Sequence, residues 1–277
     1  MEQPSSPGTK PVNIRECIEE GLKFTLESHL NRTLQLDLGL SKDFCSFLLD
    51  HVPLTADSSD KESQYPLYKR LASVLHESVT SAQSCGVFSN IALVNGDNDV
   101  EKREEWNELV IKEGFEIVNL LKTINFELHV QEPFFTQIKD GAKPVEGRCA
   151  VGDYNRIASG ALILFNKSLV AEVQDVRRYQ SFSEMLQAES LAKVLPGIKT
   201  IDEGVQVYRR FYTEEKEKTN GVLAICVATL ADQPFLSLAR ILSGLSYVGL
   251  QSLLGLTDYT ATVEPHNRSE AQPSVRQ

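Results

Sequence analysis

The sequence Gly-Ala-Lys-Pro-Val-Glu-Gly-Arg, residues 141–148, predicts the fold in the middle of this chain. Pro133 suits the start of a short helical turn and Gly141 suits its end, because proline fits a first helical position and glycine fits a helix terminus. Pro144 keeps the residue before it out of the helical region, so the chain is expected to leave the turn extended. The stretch therefore predicts a helical turn followed directly by a strand.

Three charged residues of this stretch, Lys143, Glu146 and Arg148, follow Gly141 in a G-x-K-x-x-E-x-R pattern. Glu146 and Arg148 are two positions apart on the predicted strand and therefore share one face, with Lys143 at its entrance. Because unpaired buried charge is costly, the three side chains are expected to be paired, to bind a ligand, or both. Two interpretations stay open: an ion pair that fixes the turn, and a polar pocket for a base, a phosphate or an acyl amide.

The net charge of −10 is concentrated in the first part of the 277-residue chain. Residues 1–126 carry 12 basic and 20 acidic side chains, whereas residues 127–230 carry 13 and 14. An acidic protein is a poor candidate for nonspecific binding to duplex DNA, which depends on neutralising phosphates. The near-neutral middle can still hold a basic cleft, and the acidic first part is expected to face solvent or a protein partner.

The first 124 residues predict an acidic helical domain behind a short disordered end. Residues 1–12 are rich in proline and serine and are expected to be disordered. Apolar residues at helical spacing then predict a bundle over residues 13–124, with helices from Asn13, after Ser41, and at about 65–83 and 101–123. A polar loop is predicted at 53–64, and residues 84–100 fit a short helix or a strand equally well.

From residue 125 the periodicity changes to that of strands. Alternating or continuous apolar runs predict strands near Leu128 and at 145–151, 161–165, 169–179 and 221–229, with helices at about 183–194 and 201–216 between the last two strands. This order fits a small mixed β-barrel over residues 125–230. An apolar helix follows over 231–257, and its polar stripe predicts packing against protein instead of a membrane span. Residues 258–277 are expected to be disordered. The predicted fold class is therefore α+β.

Cysteine and histidine usage gives no sign of a metal or disulfide framework. The five cysteines are widely spaced and the five histidines are scattered, so the thiols are expected to be free and mostly buried, and no metal or cofactor is predicted. The acidic loop at residues 95–99 lacks the spaced ligands of a calcium loop. No signal-peptide pattern is present at the N-terminus, so a cytoplasmic or nuclear location is expected.

The G-x-K-x-x-E-x-R pattern, placed after a short helix and a strand, resembles the signature of ASCH (activating signal cointegrator homology) domains, relatives of the RNA-binding PUA domains. The resemblance covers residues 125–230 and implies a PUA-like barrel. Ala161 stands where the family often has a polar residue after the turn glycine. The family is thought to bind RNA in a cleft lined by the signature. The implied RNA-binding residues are Lys143, Glu146, Arg148, Arg177, Arg178, Tyr208, Arg209 and Tyr212, with the two tyrosines one helical turn apart as a stacking face; ordinary helix packing is the alternative for these two rings.

The resemblance also implies an enzymatic alternative, because some small bacterial members are amidohydrolases acting on N4-acetylcytidine. The catalytic candidates would be Lys143, Glu146, and Glu184 or Glu189 as a distant carboxylate. Glu146 stands where those enzymes have a threonine, and a carboxylate beside a lysine favours its charged form, which opposes a nucleophilic role. The predicted function is therefore binding of single-stranded RNA or a modified nucleotide, in transcription coactivation or RNA processing. The alternatives are the hydrolase and a scaffold that binds a protein through the acidic helices or the C-terminal helix.

Overall fold

The computed structural model describes residues 12–50, 66–85 and 100–256. The predicted disordered ends, the polar loop at 53–64 and nearly all of the ambiguous segment at 84–100 lie outside these ranges. Within them, the α+β class predicted from the sequence is confirmed: helices come first, a curled five-stranded sheet with short helices follows, and a long helix closes the chain.

Four helices form the first part of the described chain, and side-chain caps begin the first two. The Asn13 side chain accepts a hydrogen bond from the Glu16 backbone N–H, and Ser41 does the same for Phe44. The apolar stripes of the helices pack into one core. The bounds are α1 (Ile14–Leu30), α2 (Lys42–Leu49), α3 (Leu67–Cys85) and α4 (Val100–Lys122).

The sheet has the strand order β1-β3-β4-β5-β2. β1 runs parallel to β3, and the other neighbouring pairs are antiparallel. Apolar residues of β3, β4 and β5 fill the core on the sheet's inner side. The bounds are β1 (Phe126–Leu128), β2 (Val145–Cys149), β3 (Leu162–Phe165), β4 (Leu169–Tyr179) and β5 (Val222–Thr229).

The turn predicted from the opening stretch is present between β1 and β2. Helix α5 spans Phe134–Lys139 directly after Pro133, and Gly141 follows it with a φ of 74°, a conformation that favours glycine. The Lys143 backbone N–H donates to the carbonyl of Gln137, which closes the turn before β2 begins. The chain thus enters β2 with the charged pattern in place.

Two helices predicted as continuous are each divided in two. The predicted helix at 183–194 is interrupted at Ser190, which has a φ of 71°, and gives α6 (Phe182–Ala188) and α7 (Leu191–Val194). The predicted helix at 201–216 ends at Arg209, giving α8 (Ile201–Arg209). A new helix, α9 (Glu214–Asn220), starts behind a Thr213 cap. The interruptions change which side chains of these segments share a face.

The closing helix α10 (Pro234–Leu253) packs on α1 and α4 and touches the sheet. Just before it, Gln233 hydrogen-bonds both backbone groups of Val170 in β4. Phe24 of α1 packs edge-on against Phe135 and Phe235, with ring centroids 5.5 and 5.1 Å away. The helices therefore support α5 from the side. Among the described residues, no helix combines the length and apolarity needed to cross a membrane.

Candidate functional site

Lys143, Glu146 and Arg148 form one buried ion cluster, with exposed fractions of 1%, 3% and 7%. The Lys143 ammonium lies 2.9 Å from one oxygen of Glu146, and Arg148 donates to the other oxygen. One carboxylate thus neutralises part of the charge of two cations. We refer to these three residues as the charged triad.

The charged triad also ties together three segments of backbone. The Lys143 ammonium donates to the carbonyls of Val145 and Val194 as well as to Glu146, so its three N–H bonds are all used. Arg148 donates to the carbonyls of Gly147 and His129, at 3.1 and 2.9 Å. The triad therefore holds β2 to the end of α7 and to the segment after β1.

Burial and mutual attraction act against each other in setting the pKa values of the triad. Burial lowers the pKa of Lys143 below its ordinary value, although the Glu146 carboxylate opposes this shift. Burial would raise the pKa of Glu146, but Arg148 and Lys143 outweigh it and hold that pKa below its usual range. Glu146 is therefore an ionised acceptor at neutral pH.

A cavity of about 460 Å³ lies over the triad. Its walls are the segment 129–137, the loop 195–198 and residues 207–212 at the end of α8. Phe134 and Phe211 border it as half-buried rings, and Arg210 is an exposed cation in its lining. This size falls in the range of small-ligand sites. The sequence reasoning missed Phe134 and Phe211, although both lie beside residues it had considered, whereas Arg210 was expected to add positive charge together with Arg209.

Four polar atoms of cavity-lining residues are buried without a hydrogen-bond partner: the Tyr208 and Tyr212 hydroxyls, Nε of Arg148 and Oε1 of Gln137. The Gln137 amide is oriented by its nitrogen, which donates to the carbonyl of Pro196 at 3.2 Å. Burial raises the pKa of Tyr208 well above its ordinary value, so its hydroxyl stays protonated. Gly147 leaves room for it, because a Cβ there would lie 2.3 Å from that oxygen. Unpaired buried polar atoms are rare and often mark functional sites.

The predicted tyrosine pair lies at the cavity, but neither ring is freely exposed. Tyr208 stacks on Phe182 with ring centroids 4.1 Å apart and an interplanar angle of 8°, and Tyr212 lies 5.6 Å from the same ring. Both tyrosines are about 95% buried. The two tyrosines therefore belong both to the cavity wall and to the hydrophobic core. The partly exposed aromatic rings in the cavity lining are Phe134 and Phe211.

The other predicted arginines lie elsewhere. Arg177 pairs with Asp175 and Glu189, and Arg178 bonds to Asn155, both on β4 away from the cavity lining.

Arg209 is bound to the buried Glu217 of α9, whereas its neighbour Arg210 borders the cavity. Arg210 is exposed and forms no ion pair with another described residue. The triad, Tyr208 and Tyr212 therefore lie together in the cavity lining. Of the two neighbouring arginines, Arg210 borders the cavity and Arg209 does not.

Neither distant carboxylate borders the cavity. Glu184 is exposed and accepts a hydrogen bond from the Gln180 backbone. Glu189 is buried and engaged by Arg177 and Tyr179. Across the described ranges, no cluster of three His, Cys, Asp or Glu residues fits a metal ion. Four cysteines are free thiols: Cys17, Cys45, Cys149 and Cys226.

Comparison with known proteins identifies the part of the chain that carries the cavity. Residues 128–230 match the family model of the ASCH domain. The crystal structure of hypothetical protein PH0355 is 44% identical with a TM-score of 0.37, covering 38% of this chain and 97% of that one. The solution NMR structure of protein PF0455 from Pyrococcus furiosus is 47% identical with a TM-score of 0.35 and the same coverage. No curated protein matches the chain.

Proposed function

The chain belongs to the ASCH-domain family through residues 128–230, and from this premise we propose that it binds single-stranded RNA or a modified nucleotide in the cavity over the charged triad. The observation that carries the proposal is the cavity itself. It combines two half-buried aromatic rings, unpaired polar atoms and an exposed arginine. Aromatic faces beside positive charge are the usual means of binding unpaired bases and their backbone.

A titration of a fluorescently labelled single-stranded RNA at two salt concentrations tests this proposal. We expect Arg210→Ala to weaken binding about tenfold and to reduce the slope of log K against log salt by about 0.7, because one phosphate contact is lost. Arg178→Ala is the matched control, since it removes an exposed arginine of the same domain that lies away from the cavity. Equal effects of the two substitutions, or no RNA binding by the wild type, would contradict the proposal.

The amidohydrolase remains a second candidate because burial lowers the pKa of Lys143, as an amine nucleophile requires. Against it, the ammonium already donates to three acceptors, and neither Glu184 nor Glu189 borders the cavity. Incubation with N4-acetylcytidine in parallel with the titration distinguishes the two, and release of cytidine would favour the hydrolase. A protein partner for the acidic helices or the C-terminal helix, and a role in coactivation or processing, stay predictions from the sequence.

A further inference from the structure

We infer that RNA enters this cavity base first, with one unpaired base inside and its phosphate outside at Arg210. The inference rests on the proposed function and goes beyond it by stating which part of the nucleotide lies inside the cavity and which part lies outside. The opposite order, with a phosphate on the charged triad, is the arrangement that the residue types alone would suggest.

The charged triad is a poor phosphate site because most of its donors are already used and its carboxylate repels an anion. Lys143 has no free N–H, since three protein oxygens accept from it. Arg148 uses Nη1 for Glu146 and Gly147 and Nη2 for His129, and its buried Nε is the one nitrogen of the two cations without a hydrogen-bond partner among the described residues. A phosphate placed there would also meet the ionised Glu146 and would have to displace it from both cations. The buried end of the cavity therefore favours a neutral group.

One unpaired atom of the lining, Oε1 of Gln137, requires a hydrogen-bond donor, which a base has and an ionised phosphate lacks. Because the Gln137 amide nitrogen faces the Pro196 carbonyl, Oε1 is left as an acceptor that needs an N–H donor. The Tyr208 hydroxyl can donate or accept. The Watson–Crick edge of every nucleobase presents both kinds of group, whereas the phosphodiester anion of an RNA strand presents acceptors only. Both protein atoms are shielded from water, so contact with a base requires side chains in the wall to move.

The rest of the lining offers the remaining contacts. Phe134 and Phe211 are half-buried rings in the lining, available for stacking on a flat base, and the Phe134 ring centroid lies 5.7 Å from the Lys143 ammonium. Arg210 lies at the surface without an ion pair among the described residues, so its guanidinium can bind a phosphate without displacing a protein carboxylate. The exposed arginine, and not the buried ion cluster, is therefore the contact expected for the phosphate.

The test uses the full chain and a short single-stranded RNA with either all bases present or one abasic residue that keeps its phosphate. We expect an abasic residue at the bound position, found by moving it along the strand, to weaken binding at least about tenfold while the salt slope is unchanged. In the Arg210→Ala variant, where the charged triad is the remaining candidate phosphate site of the cavity, inorganic phosphate at the same ionic strength should not compete with RNA. Unchanged affinity at every abasic position, or competition by phosphate in that variant, would overturn the base-first order while leaving RNA binding intact. No binding of the intact RNA would instead defeat the proposed function.

Tyr208→Phe supplies an independent check, because it removes only the unpaired hydroxyl. We expect a two- to tenfold loss of RNA affinity, about the contribution of one neutral hydrogen bond, with a thermal midpoint equal to or above that of the wild type. An affinity unchanged by this substitution would show that the hydroxyl does not contact the base and would overturn the assigned contact.

Discussion

Glu146→Gln is expected to lower the free energy of unfolding by about 3–5 kcal/mol, the range for breaking a buried ion pair by removing one partner. Glu146 is the single carboxylate bound to Lys143 and Arg148, and all three side chains are buried. The glutamine keeps the size of the side chain but leaves two cations without a counter-charge. Equilibrium unfolding in urea, followed by circular dichroism, measures the loss.

The matched control for this substitution is Glu184→Gln, the same chemical change at an exposed carboxylate that accepts one backbone hydrogen bond. We expect it to change the free energy of unfolding by less than about 1 kcal/mol. An unfolding midpoint for Glu146→Gln equal to that of the control would show that the charged triad does not stabilise the domain.

Phe182→Ala, a separate single substitution, is expected to lower the free energy of unfolding by about 3–5 kcal/mol. The ring is fully buried and stacks on Tyr208, with Tyr212 also in contact. Its loss leaves a void beneath the helix end that forms one wall of the cavity. The same unfolding measurement, combined with the RNA titration, should therefore record a loss of both stability and affinity.

Phe211→Ala is the informative comparison for Phe182→Ala, because this ring is half-buried and borders the cavity itself. It should weaken RNA binding with a smaller loss of stability, since less apolar surface is buried. Both variants could instead lose the same stability and keep their RNA affinity at temperatures where they are folded. That result would show that Phe182 and Phe211 stabilise the core and do not contribute to RNA binding.

The turn and the strand that carry the charged triad were predictable because their geometry depends on residues that are close together in the sequence. The turn between Pro133 and Gly141 follows from the backbone preferences of proline and glycine, and alternation along β2 puts Glu146 and Arg148 on one face. The triad itself is thus a consequence of spacing. The contacts of Lys143 with Val194, fifty-one residues later, depend on tertiary structure and could not be read from that spacing.

The different positions of Arg209 and Arg210, two neighbours expected to add charge together, could not be predicted from the sequence. A continuous helix over 201–216 makes either residue a fair candidate, but α8 ends at Arg209 and Thr213 starts a new helix. Beyond that end the helical phase no longer applies, so Arg210 borders the cavity while Arg209 binds Glu217. The packing of Tyr208 depends on a different long-range contact: Phe182 comes from another segment and stacks on its ring, which corresponds to the helix-packing alternative for this tyrosine.

Hydrogen–deuterium exchange of the full chain, with and without a single-stranded RNA, locates the RNA site directly. We expect RNA to slow exchange in the segments that contain the cavity walls, residues 129–137, 195–198 and 207–212. Exchange in α1 and in the second half of β4, which carries Arg177 and Arg178, should not change. Protection confined to β4 or to the acidic helices, with the cavity walls unaffected, would contradict the cavity as the RNA site.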